Sequence, residues 1–232
     1  MIFTDKTIET LKSFSIINNT LTVKAGNEIT VIQSDKYLAA TGNRIAAKAE
    51  VEEIFPQDWC VYNLPVFLKL IEMHAASDIE FKDTHIQITQ GTNITKYPYS
   101  LIHKQFNDLN KPNKNIVTTP NFAMTLTLTA AMIKHIQRVA STLGLDIFEI
   151  QDGQIEIRAS TKSLNSPIQV ITVETEGDVL DGNPYLFNVS CLKLLENSSY
   201  EVSLTKNYGL FTNLGESKVS YQMYYTLPKK DD

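Results

Sequence analysis

The stretch Thr127–Leu143, TLTAAMIKHIQRVASTL, sets the terms for the rest of the chain. At about 100° per residue, Met132, Ile133, Ile136, Val139, Ala140 and Leu143 share one face, which predicts an amphipathic helix. Lys134, Arg138 and Ser141 fall opposite, and the two cations lie one turn apart. The stretch contains no Asp or Glu, so its polar face carries one sign of charge. A solvated face on an ordinary amphipathic helix would look the same. Two features point to a polyanion instead: comparable helices recur in register with a repeat, and the chain as a whole is acidic.

Its 232 residues carry a formal net charge of -5, which excludes binding to nucleic acid through blanket positive charge. Any basic surface must be segregated from the acidic residues. At 43% hydrophobic, the chain is rich enough in apolar residues for one large domain or two of ordinary size. Cys60 and Cys191 sit in the apolar contexts WCVYN and VSCLKLL, as expected of buried free thiols in a reducing compartment. There is no signal-like segment and no apolar run near 18 residues, so the expectation is a soluble, cytoplasmic protein without membrane attachment.

Working outward, Asp5–Ile17 reads as a helix with Ile8, Leu11 and Phe14 on its apolar stripe and Thr4 or Asp5 as cap. Strands are predicted at Leu21–Lys24, Glu28–Gln33, Tyr37–Thr41, Lys48–Ile54 and Trp59–Tyr62, with a turn at Ala25-Gly26-Asn27. Asn63-Leu64-Pro65 opens a second helix whose inner face is predicted to carry Val66, Phe67, Leu70, Ile71 and His74. A strand meander follows at Ile79–Phe81, His85–Thr89 and Ile94–Leu101. The polar, aperiodic stretch His103–Pro120 reads as an exposed connector that nonetheless holds Phe106, Leu109, Ile116 and Val117. The second half has a strand at Phe122–Leu126, the opening helix, and strands at Asp146–Gln151, Gln154–Ala159, Ile168–Glu174 and Tyr185–Asn188. Asp152-Gly153 is the turn between the first two of these four. A short helix at Val189–Leu195 precedes a meander at Tyr200–Thr205, Tyr208–Thr212 and Val219–Leu227.

The halves match in order and residue type. Lys69-Leu70-Ile71-Glu72 answers to Lys193-Leu194-Leu195-Glu196, and Ile79-Glu80-Phe81 to Tyr200-Glu201-Val202. Tyr99-Ser100-Leu101 answers to Tyr225-Thr226-Leu227, and Ile8 and Leu11 to Ile133 and Ile136. The offset stays between 121 and 126 residues, which predicts a duplicated α+β domain. The expected boundaries are 1–103, a connector at 104–120, and 121–232. Lys6, Lys12, Lys69, Lys134, Arg138 and Lys193 are then the outward basic residues of the helices. Glu9, Glu72 and Glu196 dilute the pattern. If the helices share one face, that face is positive and attracts a phosphate backbone without reading bases.

With these elements in place, the chain resembles the sliding clamps, the DNA polymerase processivity factors, and most closely those of T4-like bacteriophages. The resemblance rests on Leu11-Lys12-Ser13-Phe14 through Ile17-Asn18, the hairpin around Lys24-Ala25-Gly26, Val61-Tyr62-Asn63-Leu64 with Phe67-Leu68, and the helix at Ala130–Thr142. It implies the DNA clamp fold and a homotrimeric ring around duplex DNA, with the six basic residues named above facing the DNA. It implies further that the ring tethers the replicative polymerase in viral DNA replication and needs a clamp loader. Transcription factors are a further partner class on this reading. The resemblance places the subunit interface on two edge strands, with Asn93, Ile94, Thr95, Lys96 and Tyr97 on one and Ile168, Val170 and Thr172 on the other. It places a pocket for partner peptides at Phe106, Leu109, Ile116, Val117, Tyr225, Leu227 and Pro228.

No catalytic residue, cofactor or metal is expected. His74, His85, His103 and His135 are scattered without metal-ligand spacing, and neither a nucleophile elbow nor a phosphate-binding loop occurs. The competing expectation is a non-catalytic, β-rich structural or assembly protein of a virus.

Overall fold

A computed structural model describes residues 1–33, 45–74, 77–99, 122–151, 153–160, 167–177, 184–195, 197–205 and 208–224. The chain divides into two compact units, Met1–Ser34 with Ala46–Ile116 and Asp35–Ile45 with Val117–Asp232. The expected strand at Tyr37–Thr41 and the connector at 104–120 lie outside the described residues.

In the first unit, helix α1 (Asp5–Ile17) starts where the Thr4 hydroxyl accepts the Thr7 N–H, with Asp5 favourably placed in the first turn. It buries Thr7, Thr10, Leu11, Phe14 and Ile17. Ahead of it, the Met1 and Ile79 backbones exchange hydrogen bonds, so the chain start runs beside strand β5 (Asp78–Phe81). Strand β1 (Leu21–Val23) pairs with β4 (Trp59–Val61) in a two-stranded ladder. The turn expected at Ala25-Gly26-Asn27 therefore does not close a β1–β2 hairpin. Strand β2 (Gly26–Ile32) pairs instead with β3 (Ile45–Phe55), with a register shift between Gly26 and Glu28 where Gly26 has φ +120°. Helix α2 (Leu64–Met73) is capped by Asn63, with Pro65 in its first turn. Strands β5 (Asp78–Phe81), β6 (His85–Gln90) and β7 (Asn93–Pro98) form an antiparallel meander.

The inner face of α2 differs from the expected one. Leu64, Phe67, Leu68 and Ile71 are buried, Val66 is exposed, and His74 lies just beyond the helix end. The buried stripe is thus rotated toward Leu68, because α2 packs beside α1 as well as onto the unit's interior. The core centres on Trp59, whose ring lies 5.2 Å from Phe55, 5.4 Å from Phe81 and 5.9 Å from Phe67.

In the second unit, strand β8 (Met124–Leu128) leads into helix α3 (Ala130–Leu143). Thr127 and Leu128 pair as strand with β14 (Tyr200–Leu204), and Thr129 caps the helix by accepting the Met132 N–H. The helix therefore starts three residues later than periodicity suggests, because sheet pairing claims the alternating Thr-Leu residues. Ile133, Ile136 and Ala140 are buried, whereas Met132 and Val139 are partly exposed and Leu143 is exposed. Gly144 closes α3 in the left-handed region at φ +67°, while α1 ends on extended Asn18.

Strands β9 (Ile147–Gln151) and β10 (Gln154–Arg158) form the expected hairpin, with Gly153 at φ +74°. The predicted strand Ile168–Glu174 is present as β11 (Gln169–Thr172), and a further short strand that the sequence reading did not give, β12 (Thr175–Gly177), follows it. Strand β11 pairs with β10, and β12 pairs with β8. Strand β13 (Tyr185–Asn188) pairs with β9 and leads into Val189–Leu194, a 3-10 turn rather than a full α-helix. Strands β14 (Tyr200–Leu204), β15 (Tyr208–Asn213) and β16 (Val219–Tyr224) form the closing meander. Phe148 stacks on Phe187 at 5.1 Å, and Phe211 meets Phe187 edge-on in the core.

The duplication is visible in pairing as well as order. The chain start runs beside β5 as β8 runs beside β14, and each leads into a helix capped by threonine. The β1–β4 and β2–β3 ladders of the first unit answer to β9–β13 and β10–β11 of the second.

Candidate nucleic-acid interface

Each unit presents a helical layer, and the two layers differ in charge. In the second unit, Lys134 and Arg138 are exposed on α3, one turn apart. Gln137 on the same helix donates to the Leu192 carbonyl at 2.9 Å, which holds α3 against the 3-10 turn. Lys193 is exposed on that turn. The three predicted cations of this half therefore stand on two elements packed side by side. Arg138 lies 3.4 Å from Nδ1 of His135, a neighbour the sequence reading did not single out. Among the described residues, no carboxylate forms an ion pair with Lys134, Arg138 or Lys193.

In the first unit, α1 and α2 also pack side by side, and Lys6, Lys12 and Lys69 are all exposed. Here Lys12 Nζ lies 2.7 Å from Oε1 of Glu72, bridging the two helices. The hydrogen bond and charge of Glu72, with smaller contributions from Glu9 and Asp5, raise the Lys12 ammonium above its ordinary range. Lys12 is therefore not the unshielded cation the sequence suggested. Sequence inspection missed this because the partners lie on helices separated by sheet strands, with no local spacing to mark them.

Of the expected interface residues, β7 is the outer strand of the β5-β6-β7 sheet and β11 the outer strand of β11-β10-β9-β13, among the described strands. On β7 the side chains divide. Asn93, Ile94 and Lys96 are exposed, whereas Thr95 and Tyr97 turn toward α2. The Tyr97 ring packs 5.3 Å from Phe67, its hydroxyl donates to the Asn63 carbonyl, and burial pushes its phenol up. Thr95 lies 3.4 Å from Nε2 of His74. Near and on β11, Ile168, Val170 and Thr172 are all exposed. The expected peptide-pocket residues Phe106, Leu109, Ile116, Val117, Tyr225, Leu227 and Pro228 lie outside the described residues.

Other charged and thiol groups are occupied in structural roles. Buried Arg158 is held at 2.9 Å by Glu149 and at 3.7 Å by Glu156. Burial raises both thiols, Cys191 to about 12, so neither is a ready nucleophile or ligand. Among the described residues, no cluster of three or more His, Cys, Asp or Glu could hold a metal, and no helix is long and apolar enough to cross a membrane.

No protein-family model matches the chain. It is 27% identical over 139 residues to the sliding clamp of Vibrio phage KVP40, an alignment covering 60% of this chain and 59% of that relative. The chain thus spans about three fifths of the length of the curated relative it matches. Among solved structures it is similar to Archaeoglobus fulgidus PCNA bound to the C-terminal region of FEN-1, with TM-score 0.67 and 10% identity over 99% of this chain and 98% of the other. It is similar to the Helicobacter pylori beta clamp, with TM-score 0.65 and 11% identity over 94% and 63%. It is also similar to Entamoeba histolytica PCNA, with TM-score 0.63 and 10% identity over 95% and 94%. The chain has the DNA clamp fold.

Proposed function

We propose that this protein is a sliding clamp, a ring of identical subunits that encircles duplex DNA and tethers a polymerase during viral DNA replication. The observation that carries this reading is the acid-free, outward face of α3 with Lys193 beside it, on a chain of clamp fold and net negative charge. A concentrated cationic strip on an acidic protein attracts the phosphate backbone without fixing sequence register. Its contacts are sequence-independent and salt-sensitive, which suits a protein retained by topology rather than affinity. The phage clamp relative supports the viral setting.

On this reading three two-domain subunits, with domains at 1–103 and 121–232 joined by 104–120, close a ring of pseudo-sixfold symmetry with its helices toward the hole. Strand β7 of one subunit pairs with β11 of the next. Among the described strands both are outermost in their sheets, and both carry exposed apolar residues, Ile94 at 59% and Val170 at 45% exposure. Partner peptides from the polymerase and the clamp loader dock near the connector and the chain end. The chain is not a catalyst on this reading.

Two measurements test the proposal. Native mass spectrometry should give a trimer, and a monomer at every concentration would remove the ring. With loader present, wild-type protein should extend polymerase run length on primed template, and Lys134→Glu/Arg138→Glu should abolish that extension. Unchanged run length would sink the DNA-facing assignment.

A further inference from the structure

The three cations expected on each helical layer are not equivalent. Segments Asp5–Ile17 and Leu64–Met73 together hold Lys6, Lys12 and Lys69 against Asp5, Glu9 and Glu72, a formal balance of zero. Segments Ala130–Leu143 and Val189–Leu194 hold Lys134, Arg138 and Lys193 with no acidic residue. The imbalance is realised in contact, because Glu72 reaches across from α2 to hold Lys12 on α1 at 2.7 Å.

Both partners are about half exposed, with side-chain accessibilities of 51% and 48%. An ion pair this wet adds little to folding stability. Its consequence is felt at the surface instead. A phosphate drawn to Lys12 also meets the Glu72 carboxylate beside it, and at such similar distances attraction and repulsion nearly cancel. Lys134 and Arg138 carry no such companion among the described residues.

We propose that the grip on the phosphate backbone is asymmetric. The second unit's helical layer supplies most of the attraction, and Glu72 acts as a charge brake that withholds Lys12 from the DNA. This inference rests on the sliding-clamp reading and adds to it a residue that limits affinity. A ring must hold DNA loosely enough to travel, and each engaged cation adds counterion release and hence friction. A carboxylate in the helical layer lowers that number without removing the lysine.

The test is the salt dependence of binding to a short labelled duplex, measured by fluorescence anisotropy on the full chain. Four proteins are compared: wild type, Glu72→Gln, Lys12→Gln/Glu72→Gln and Lys134→Gln/Arg138→Gln. Glu72→Gln should bind more tightly at low salt. Its slope of log affinity against log salt should steepen by about 0.9 per freed lysine, roughly a threefold greater loss between about 50 and about 200 mM salt for each contact. The double variant at Lys12 and Glu72 should return to the wild-type slope, which separates the brake from any general effect of losing Glu72. All variants should keep the wild-type melting curve. If Glu72→Gln leaves affinity and slope unchanged while Lys134→Gln/Arg138→Gln flattens the slope, the brake is overturned and the clamp reading stands. If Lys134→Gln/Arg138→Gln changes nothing, the clamp reading fails and the brake with it.

Discussion

The α1–α2 layer and the α3–3-10 layer descend from the same repeated plan, yet one is electrically balanced and the other is not. Both begin on a threonine cap, and both lay a short helical element beside a longer one. They part in what fills the exposed positions. Along α1 and α2 each cation has an acidic residue on the same element, and Lys12 is physically held by Glu72. Along α3 the exposed positions are Ala, Lys, Arg, Ser, Thr and Leu. Duplication therefore preserves the buried pattern, which packing constrains, and frees the outer pattern, which only solvent and ligand constrain. Counting lysines per half misses this, because a surface potential depends on neighbours as well as on inventory.

The largest expected effect pits the two layers against each other. Lys134→Glu/Arg138→Glu should flatten the salt slope of duplex binding by about two contacts per subunit. The matched reversal Lys12→Glu/Lys69→Glu should cost distinctly less, since Lys12 begins neutralised. Equal losses would break the comparison.

The next effect concerns how each layer is anchored. Buried Glu53 on β3 accepts hydrogen bonds from the Thr4 backbone N–H and the Thr7 hydroxyl, tying the start of α1 to the sheet. Replacing Glu53 with Ala orphans both donors and should destabilise by about 2 kcal/mol. Urea unfolding followed by Trp59 fluorescence reports on that unit directly. An unchanged midpoint would show that α1 is held by its apolar face alone.

The effect confined to the narrowest range of conditions sharpens the contrast between the two cysteines. Burial raises Cys60 and pushes Cys191 to about 12 from an ordinary value of 9.0. A thiol whose folded value is raised stays protonated while the unfolded chain ionises. The stabilisation is therefore complete below about pH 9 and is lost as pH climbs from there toward about 12, at up to about 1.4 kcal/mol per pH unit. Cys191→Ala should flatten the decline of the urea midpoint between those values relative to wild type. Identical declines would contradict the deep burial of Cys191.

Most elements were legible from local signals. Thr4 and Asn63 are caps because a short polar side chain precedes a periodic run, and the β9–β10 hairpin follows from Asp152-Gly153 between alternating strands. The misreadings share one cause. Thr127 and Leu128 carry helix-compatible spacing but pair with β14, the β1–β2 turn closes no ladder because β1 pairs with β4, and Val66 faces solvent because α2 turns Leu68 inward. In each case a partner distant in sequence outweighed the local preference.

The sequence by itself determined the duplication, the order of elements, the helix caps and the placement of six cations on helical segments. Those features follow from periodicities a few residues long, which the chain carries wherever it goes. Only the tertiary structure decided which strands are edges, which face of α2 is buried, and that Glu72 reaches Lys12. The physical reason is range. Hydrogen-bond ladders and ion pairs between elements form through space, so their partners are set by how the layers stack, and no spacing along the chain encodes a contact between residues 12 and 72.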